Sequence, residues 1–253
     1  MIEIIGVPGL PEVRPGDDLV ELTLVALRQA RVELAARDVL VFTSKVVSKV
    51  EGRLVALEDV TPSPFALAWA EQHGKEPRQV EVVLREAKRI VRMDRGILLA
   101  ETRHGFICAN AGVDRSNSSD AGTLVLLPLD PDGSARRLRA GLAERTGQDV
   151  AVVISDTFGR PWRNGQTNIA IGCAGMPALH SYHGELDPNG QVLHATSIAL
   201  ADELAAASEL VMGKLDRVPV AVIRGFAWPP LPADAPDEGA QALVRQAEFD
   251  LFR

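Results

Sequence analysis

The run AVVISDTFGRPWRNGQTNIAIGCAGM, residues 151 to 176, constrains this chain more than any other stretch. Ala151-Val152-Val153-Ile154 is short, continuous and β-branched, the signature of a strand buried on both faces. It ends at Asp156-Thr157, and a dense polar segment follows, expected as a loop. Arg160, Arg163, Asn164, Gln166, Thr167 and Asn168 crowd into that segment, with Gly159 and Gly165 allowing close approach of the backbone to a ligand. A hard metal takes oxygen ligands and shares its shell with phosphate oxygens and water, so Asp156 with Thr157 reads as an anchor for Mg²⁺ or Mn²⁺ beside phosphate-pairing guanidiniums. A lone Asp there would more simply cap or turn the chain after a strand. One capping residue does not call for six polar neighbours.

Before that run, the spacing predicts a strand over 2–7, a stiff Gly/Pro loop holding Gly9, Leu10, Pro11 and Glu12, and a helix from Leu19 to Ala36 with Asp17 or Asp18 as its cap. A strand over Asp38 to Phe42 delivers TSKVVSKVEGR. If the chain turns helical there, Lys45 and Lys49 share one side, and two ammonium groups so placed repel. A polyphosphate between them, with Ser44 adding a hydroxyl, would account for that cost; a solvated lysine face is the plain alternative. The reading continues with a helix within residues 57–75, an amphipathic helix over 77–95 and a strand at 96–100.

Residues 101 to 123 form a second polar cluster. After Phe106-Ile107-Cys108-Ala109 it presents Asn110, Asp114, Arg115, Ser116 and Asn117 around Gly112. Such a segment offers either a second carboxylate to a metal and an amide to a base or ribose, or a solvated turn. A strand over 123–129, a helix over 135–146, a hairpin turn at 185–191, a helix over 195–212 stopped by Gly213, a strand over 218–223 and a terminal helix near 237–252 complete the reading.

Composition narrows the function classes. The formal net charge is -7 with no long Lys/Arg run, which disfavours nucleic acid as a main partner. Two cysteines argue against a disulfide framework and fit a reducing cytoplasm. No apolar run approaches the roughly 20 residues a membrane-spanning helix needs, and no signal peptide is read at the start.

GLPE, TSKVVSKVEGR, HGFICANAGVDRSN, SDTFGRPWRNGQTNIAIG and ADELAAASELVMGK, in this order over nearly the whole chain, resemble the coenzyme F420-0:L-glutamate ligase family. The resemblance implies an α+β fold of mixed and antiparallel sheets with flanking helices, a single ligase-type domain over 1–253 built as two intertwined subdomains, and a homodimer. It implies GTP-dependent addition of L-glutamate to coenzyme F420-0 or its dehydro form, with Mg²⁺ or Mn²⁺ and potassium. By the same resemblance Asp114, Asp156 and Thr157 bind the divalent metal. Gly9, Leu10, Pro11, Glu12, Ser44, Lys45, Lys49, Asn117, Met212, Gly213 and Lys214 meet the nucleotide, Lys214 standing where many relatives carry Gln. Lys45 and Arg160 join the two aspartates as catalytic groups. The flavin reductase domain that follows the ligase in some relatives is not expected. A metal-dependent nucleotide phosphohydrolase and a non-catalytic nucleotide-binding regulator would draw on the same residue types.

Overall fold

The pairing of strand Val39–Thr43 with strand Ala151–Arg160 sets the architecture of the computed structural model, which describes residues 1–115, 122–229, 231 and 237–250. In chain order, β1 (Glu3–Val7), α1 (Leu19–Gln29), β2 (Val39–Thr43), α2 (Ser44–Val50) and β3 (Leu54–Ala56) come first. Next are α3 (Pro64–His73), α4 (Pro77–Glu86), β4 (Ala87–Asp94), β5 (Ile97–Thr102), β6 (Ile107–Ala109) and β7 (Thr123–Val125). Then follow α5 (Pro131–Thr146), β8 (Ala151–Arg160), β9 (Arg163–Ala174), the two-residue strands β10 (His180–Ser181) and β11 (Ser197–Ile198), α6 (Leu200–Met212) and β12 (Val220–Arg224).

Five strands form the main sheet in the order β1-β12-β2-β8-β9. The β2/β8 pair is parallel and the other pairings are antiparallel. Leu40, Phe42, Val152 and Ile154 face a core closed by α1 and α5, while Val39, Val41, Ala151 and Val153 face a second core under α6 and Trp228. With both faces covered, the strands read as continuous apolar runs. A third cluster, built from α3, α4, β5 and β7, includes Ala66, Val83, Leu98 and Leu124 and belongs to the smaller sheets β4-β5-β6 and β3-β7. The architecture is α+β with mixed and antiparallel sheets.

Local chemistry explains the element ends. Asp18 caps α1 by accepting from the Glu21 amide at 3.0 Å, and Ser63 with Pro64 opens α3, which Gly74 closes in the left-handed region. Several expected bounds are corrected. Helix α1 stops at Gln29 rather than Ala36 because Arg31 turns to φ 57° and the Val32 amide closes back on Leu27. The amphipathic run 77–95 is helical only to Glu86. Its second half is β4, paired with β5 across Arg95 (φ 49°) and Gly96 (φ 76°), a two-residue turn that needs positive φ at both positions. Strand β7 is three residues long, α5 begins at its cap Asp130 rather than at Ala135, and α6 starts at Leu200 because Ser197–Ile198 pairs with β10. The described part of 237–252 holds 3₁₀ turns at Gly239–Leu243 and Ala247–Phe249 instead of a helix, the first tied down by the Asp132 carboxylate, which accepts from Ala240 and Cys173 amides.

The largest correction concerns the central run. The polar segment after Asp156 is not a loop: β8 continues to Arg160, turns through Pro161-Trp162 with Trp162 at φ 56°, and returns as β9. The outer half of this hairpin is exposed on both faces, so it carries no apolar alternation to betray it as strand.

Phe42 has no exposed surface and packs between the sheet and α1. Phe42→Ala is expected to cost about 3–5 kcal/mol of unfolding free energy, read as a lower urea midpoint at unchanged slope.

Candidate active site

Because β2 and β8 run parallel with Thr43 opposite Ser155, β2 ends one residue before Asp156 comes up on β8, which sets Ser44 and Asp156 side by side. The Ser44 hydroxyl donates to Asp156 Oδ1 at 2.7 Å. In open sheets with parallel strands, ligands bind outside such carboxyl ends. Here a cleft of about 680 Å³ opens. Leu10, Pro11 and Glu12 of the β1–α1 loop form one wall, Ser44 and Lys45 the floor, and Lys214, Leu215 and Arg217 the opposite lip.

The helical turn expected after β2 is α2, so Lys45 and Lys49 do lie one turn apart. Each is neutralised locally. Lys45 Nζ pairs with Asp114 Oδ2 at 2.7 Å, and the nearly buried Lys49 pairs with Glu12. Asp114 is held in register by reciprocal backbone hydrogen bonds with Val125. Ser44 and Lys45 are consecutive residues, so the hydrogen bond of one to Asp156 and the ion pair of the other with Asp114 bring the two distant aspartates to one end of β2. Loss of solvent raises the Asp156 pKa above its ordinary value; the Ser44 hydrogen bond and Lys45 oppose that rise, and the Asp114 charge reinforces it.

On the opposite side of the β8 backbone, Thr157 donates to Asn168 Oδ1 at 2.8 Å, and Asn168 donates in turn to Glu209 Oε2 at 2.8 Å. Lys214 Nζ lies 3.5 Å from Thr157 Oγ1. Gly213 (φ 57°) ends α6 and turns the chain along the lip; a Cβ there would come within 2.0 Å of Asp216 Oδ2. Two carboxylates and a hydroxyl are the donors a hard cation takes, and no group of three or more His, Cys, Asp or Glu side chains is placed to hold a metal among the described residues. Asp156 and Thr157 both line the cleft from their two sides of the strand, so each offers an oxygen to a cation that completes its shell with ligand oxygens or water.

The structure thus brings together Leu10, Pro11, Glu12, Ser44, Lys45, Asp114, Asp156, Thr157, Gly213 and Lys214, with Lys49 joined through Glu12. Gly9 (φ 90°) shapes the loop behind that wall, and Met212 is buried beneath the lip. Arg160 lies apart: its guanidinium donates to the Asn164 carbonyl at 2.9 Å across the exposed hairpin, outside the residues lining the cleft. Asn117 lies outside the described residues. His104 has its Nε2 at 2.8 Å from the Pro128 carbonyl, a structural tie. Sequence reasoning missed Glu209. A carboxylate in the last turn of α6, where the helix dipole disfavours negative charge, was the available signal.

Fold and cleft together define an α+β protein with a polar cleft, lined by paired acids and amines, where the parallel pairing of β2 with β8 ends. Comparison gives that class a particular family: residues 9–225 match F420-0:Gamma-glutamyl ligase, and the chain belongs to this family. It is 46% identical over 253 residues to the Coenzyme F420:L-glutamate ligase of Methanothermobacter thermautotrophicus, covering 100% of this chain and 99% of that protein. It is 47% identical over 248 residues to the enzyme of the same name from Methanopyrus kandleri, covering 98% and 96%, and 38% identical over 255 residues to that of Methanocaldococcus jannaschii, covering 100% and 97%. Among the described residues no helix is long and apolar enough to cross a membrane.

Cys108, buried beside the site, has its thiol pushed up from 9.0 to about 12, chiefly by burial and further by the Asp156 charge. Its folded form therefore holds a proton that the unfolded chain releases, so stability falls as pH rises between 9.0 and about 12. Native protein at pH 8 is expected to resist iodoacetamide at Cys108 and to react on unfolding in urea, read by peptide mass mapping.

Proposed function

We propose that the cleft is the active site of a GTP-dependent ligase that joins L-glutamate to coenzyme F420-0, or to its dehydro form, first through an amide and then through a γ-glutamyl linkage. The observation that carries this reading is that adjacent residues at the end of β2 hold the two aspartates, Lys45 pairing with Asp114 at 2.7 Å and Ser44 donating to Asp156 at 2.7 Å. The names of the relatives supply the substrates.

A carboxylate is a poor acylating agent. In the proposed reaction an oxygen of the acceptor's carboxylate attacks the γ-phosphorus of GTP and GDP leaves; the glutamate amine, its protons lost to solvent, then attacks the acyl carbon and phosphate leaves. Such transfer depends on charge neutralisation and in-line positioning more than on a protein nucleophile. Lys45 would exchange Asp114 for a phosphate oxygen, and Lys49 would make the same exchange from Glu12, so neither cation is desolvated without a partner at any stage. The Gly9 to Glu12 loop would line the nucleotide, with Gly213 and Lys214 on the far side. Asp114, Asp156 and Thr157 would hold Mg²⁺ or Mn²⁺, with potassium nearby. The metal would supply charge neutralisation at the transferring phosphate. The proposal includes a homodimer in the cytoplasm; the exposed hairpin, with Trp162 81% exposed at its tip, and two unpaired thiols support these two points.

Asp156→Asn keeps the oxygen that accepts from Ser44 and removes the charge. It is expected to leave the fold intact and to lower ligation at least about 10²–10³-fold, by mass spectrometry of product from F420-0, GTP and L-glutamate. Turnover at the wild-type rate in saturating Mg²⁺ would remove Asp156 from this role. Phosphate released from GTP without glutamate and acceptor would instead indicate a phosphohydrolase, and tight GTP binding without product a regulator.

A further inference from the structure

Four side chains run in one direction across the far side of the cleft. The Lys214 ammonium faces the Thr157 oxygen at 3.5 Å, Thr157 donates to Asn168 Oδ1 at 2.8 Å, and Asn168 donates to Glu209 Oε2 at 2.8 Å. The chemistry of its last member sets the direction. An ionised carboxylate only accepts, so Glu209 obliges the Asn168 amide to present its NH₂ group to it. The Asn168 carbonyl then necessarily points at Thr157. A threonine hydroxyl has one proton, and with that proton committed to Asn168 its lone pairs are left for the cleft. Lys214 already occupies one of them, which shows that this oxygen faces positive charge. Asn168 is buried with only 3% of its surface exposed, so water does not readily compete for its amide.

We propose that Glu209 and Asn168 are positioning residues for the cation site: they hold the Thr157 hydroxyl in the one rotor state in which its oxygen accepts from a cation, Lys214 or a divalent metal, inside the cleft. Without them the hydroxyl turns freely and can direct its proton at the cation. The inference rests on the ligase reading for the identity of the metal and nucleotide. The orientation of the relay stands on the hydrogen bonds alone. The placement is also economical in fold terms, because the relay ties the β8–β9 hairpin to the last turn of α6 and so to the lip that follows Gly213.

Mn²⁺ binding, followed by electron paramagnetic resonance in the presence of a non-hydrolysable GTP analogue, tests it. Asn168→Ala and Glu209→Ala are each expected to weaken Mn²⁺ binding ~10–100-fold, the range for losing a group that orients a metal ligand. Thr157→Val should do the same and Thr157→Ser should retain wild-type affinity. The deciding arm is the double variant: once Val stands at 157, adding Asn168→Ala should cause no further loss. An undiminished loss in that background, or no loss in the single variants, would show that Asn168 acts on packing and overturn the proposal. A metal-free readout separates this from the ligase reading. The side-chain amide of Asn168 should exchange slowly in ¹⁵N NMR spectra of the wild type and rapidly in Glu209→Ala. Wild-type protein that binds no Mn²⁺ with nucleotide would defeat the metal reading, while an Asn168 amide indifferent to Glu209 would defeat the relay.

Discussion

The parallel pairing of β2 with β8 is the constraint from which the rest of the molecule follows. Its register sets Thr43 against Ser155, and one residue further along β2 turns into α2 while β8 runs on against β9 alone. A shift of one residue would send every side chain of β8 to the other face, exchanging the layers under α1 and α5 for that under α6. The apolar packing on both faces therefore fixes the position of Asp156 relative to Ser44 as firmly as it fixes the core. The site inherits its precision from burial several residues away.

Charge at the cleft is arranged in compensated pairs. Lys45 with Asp114 and Lys49 with Glu12 leave no cation of α2 facing the cleft without a carboxylate. Two like charges one helical turn apart would otherwise weaken a seven-residue helix that has little intrinsic stability. Under the proposed function the same pairs would make the cleft responsive to a ligand: an anion entering beside Lys45 and a cation entering beside Asp114 would replace one interaction by two, at little cost in uncompensated charge. Thr157, on the other face of the β8 backbone, is served by a separate network through Asn168 and Glu209, so the two sides of the strand end are organised independently.

Much of this was legible before any coordinates. The apolar runs at 39–42 and 151–154 announced strands covered on both faces, Asp18 and Gly213 marked helix ends by side-chain and backbone chemistry, and the clustering of polar residues after Ile154 drew attention to Asp156 and Thr157. These features are local: a cap, a turn or a buried run is recognisable within a few residues of chain. The failures were equally physical. The charged run after Glu86 satisfies a helical pattern until β5 pairs with it, and the polar segment after Asp156 satisfies a loop pattern until β9 folds back on β8.

By itself, the sequence determined which segments must be buried, where α1 and α4 begin and α5 and α6 end, and which acids, amines and hydroxyls stand next to buried strands. Only the tertiary structure decided that Asp114 meets Lys45, that Arg160 spends its guanidinium on its own hairpin, and that Glu209 reaches Thr157 through Asn168. The reason is that hydrogen bonds and ion pairs between residues far apart in the chain depend on strand register and helix placement, and those are set by packing that no short window of residues contains.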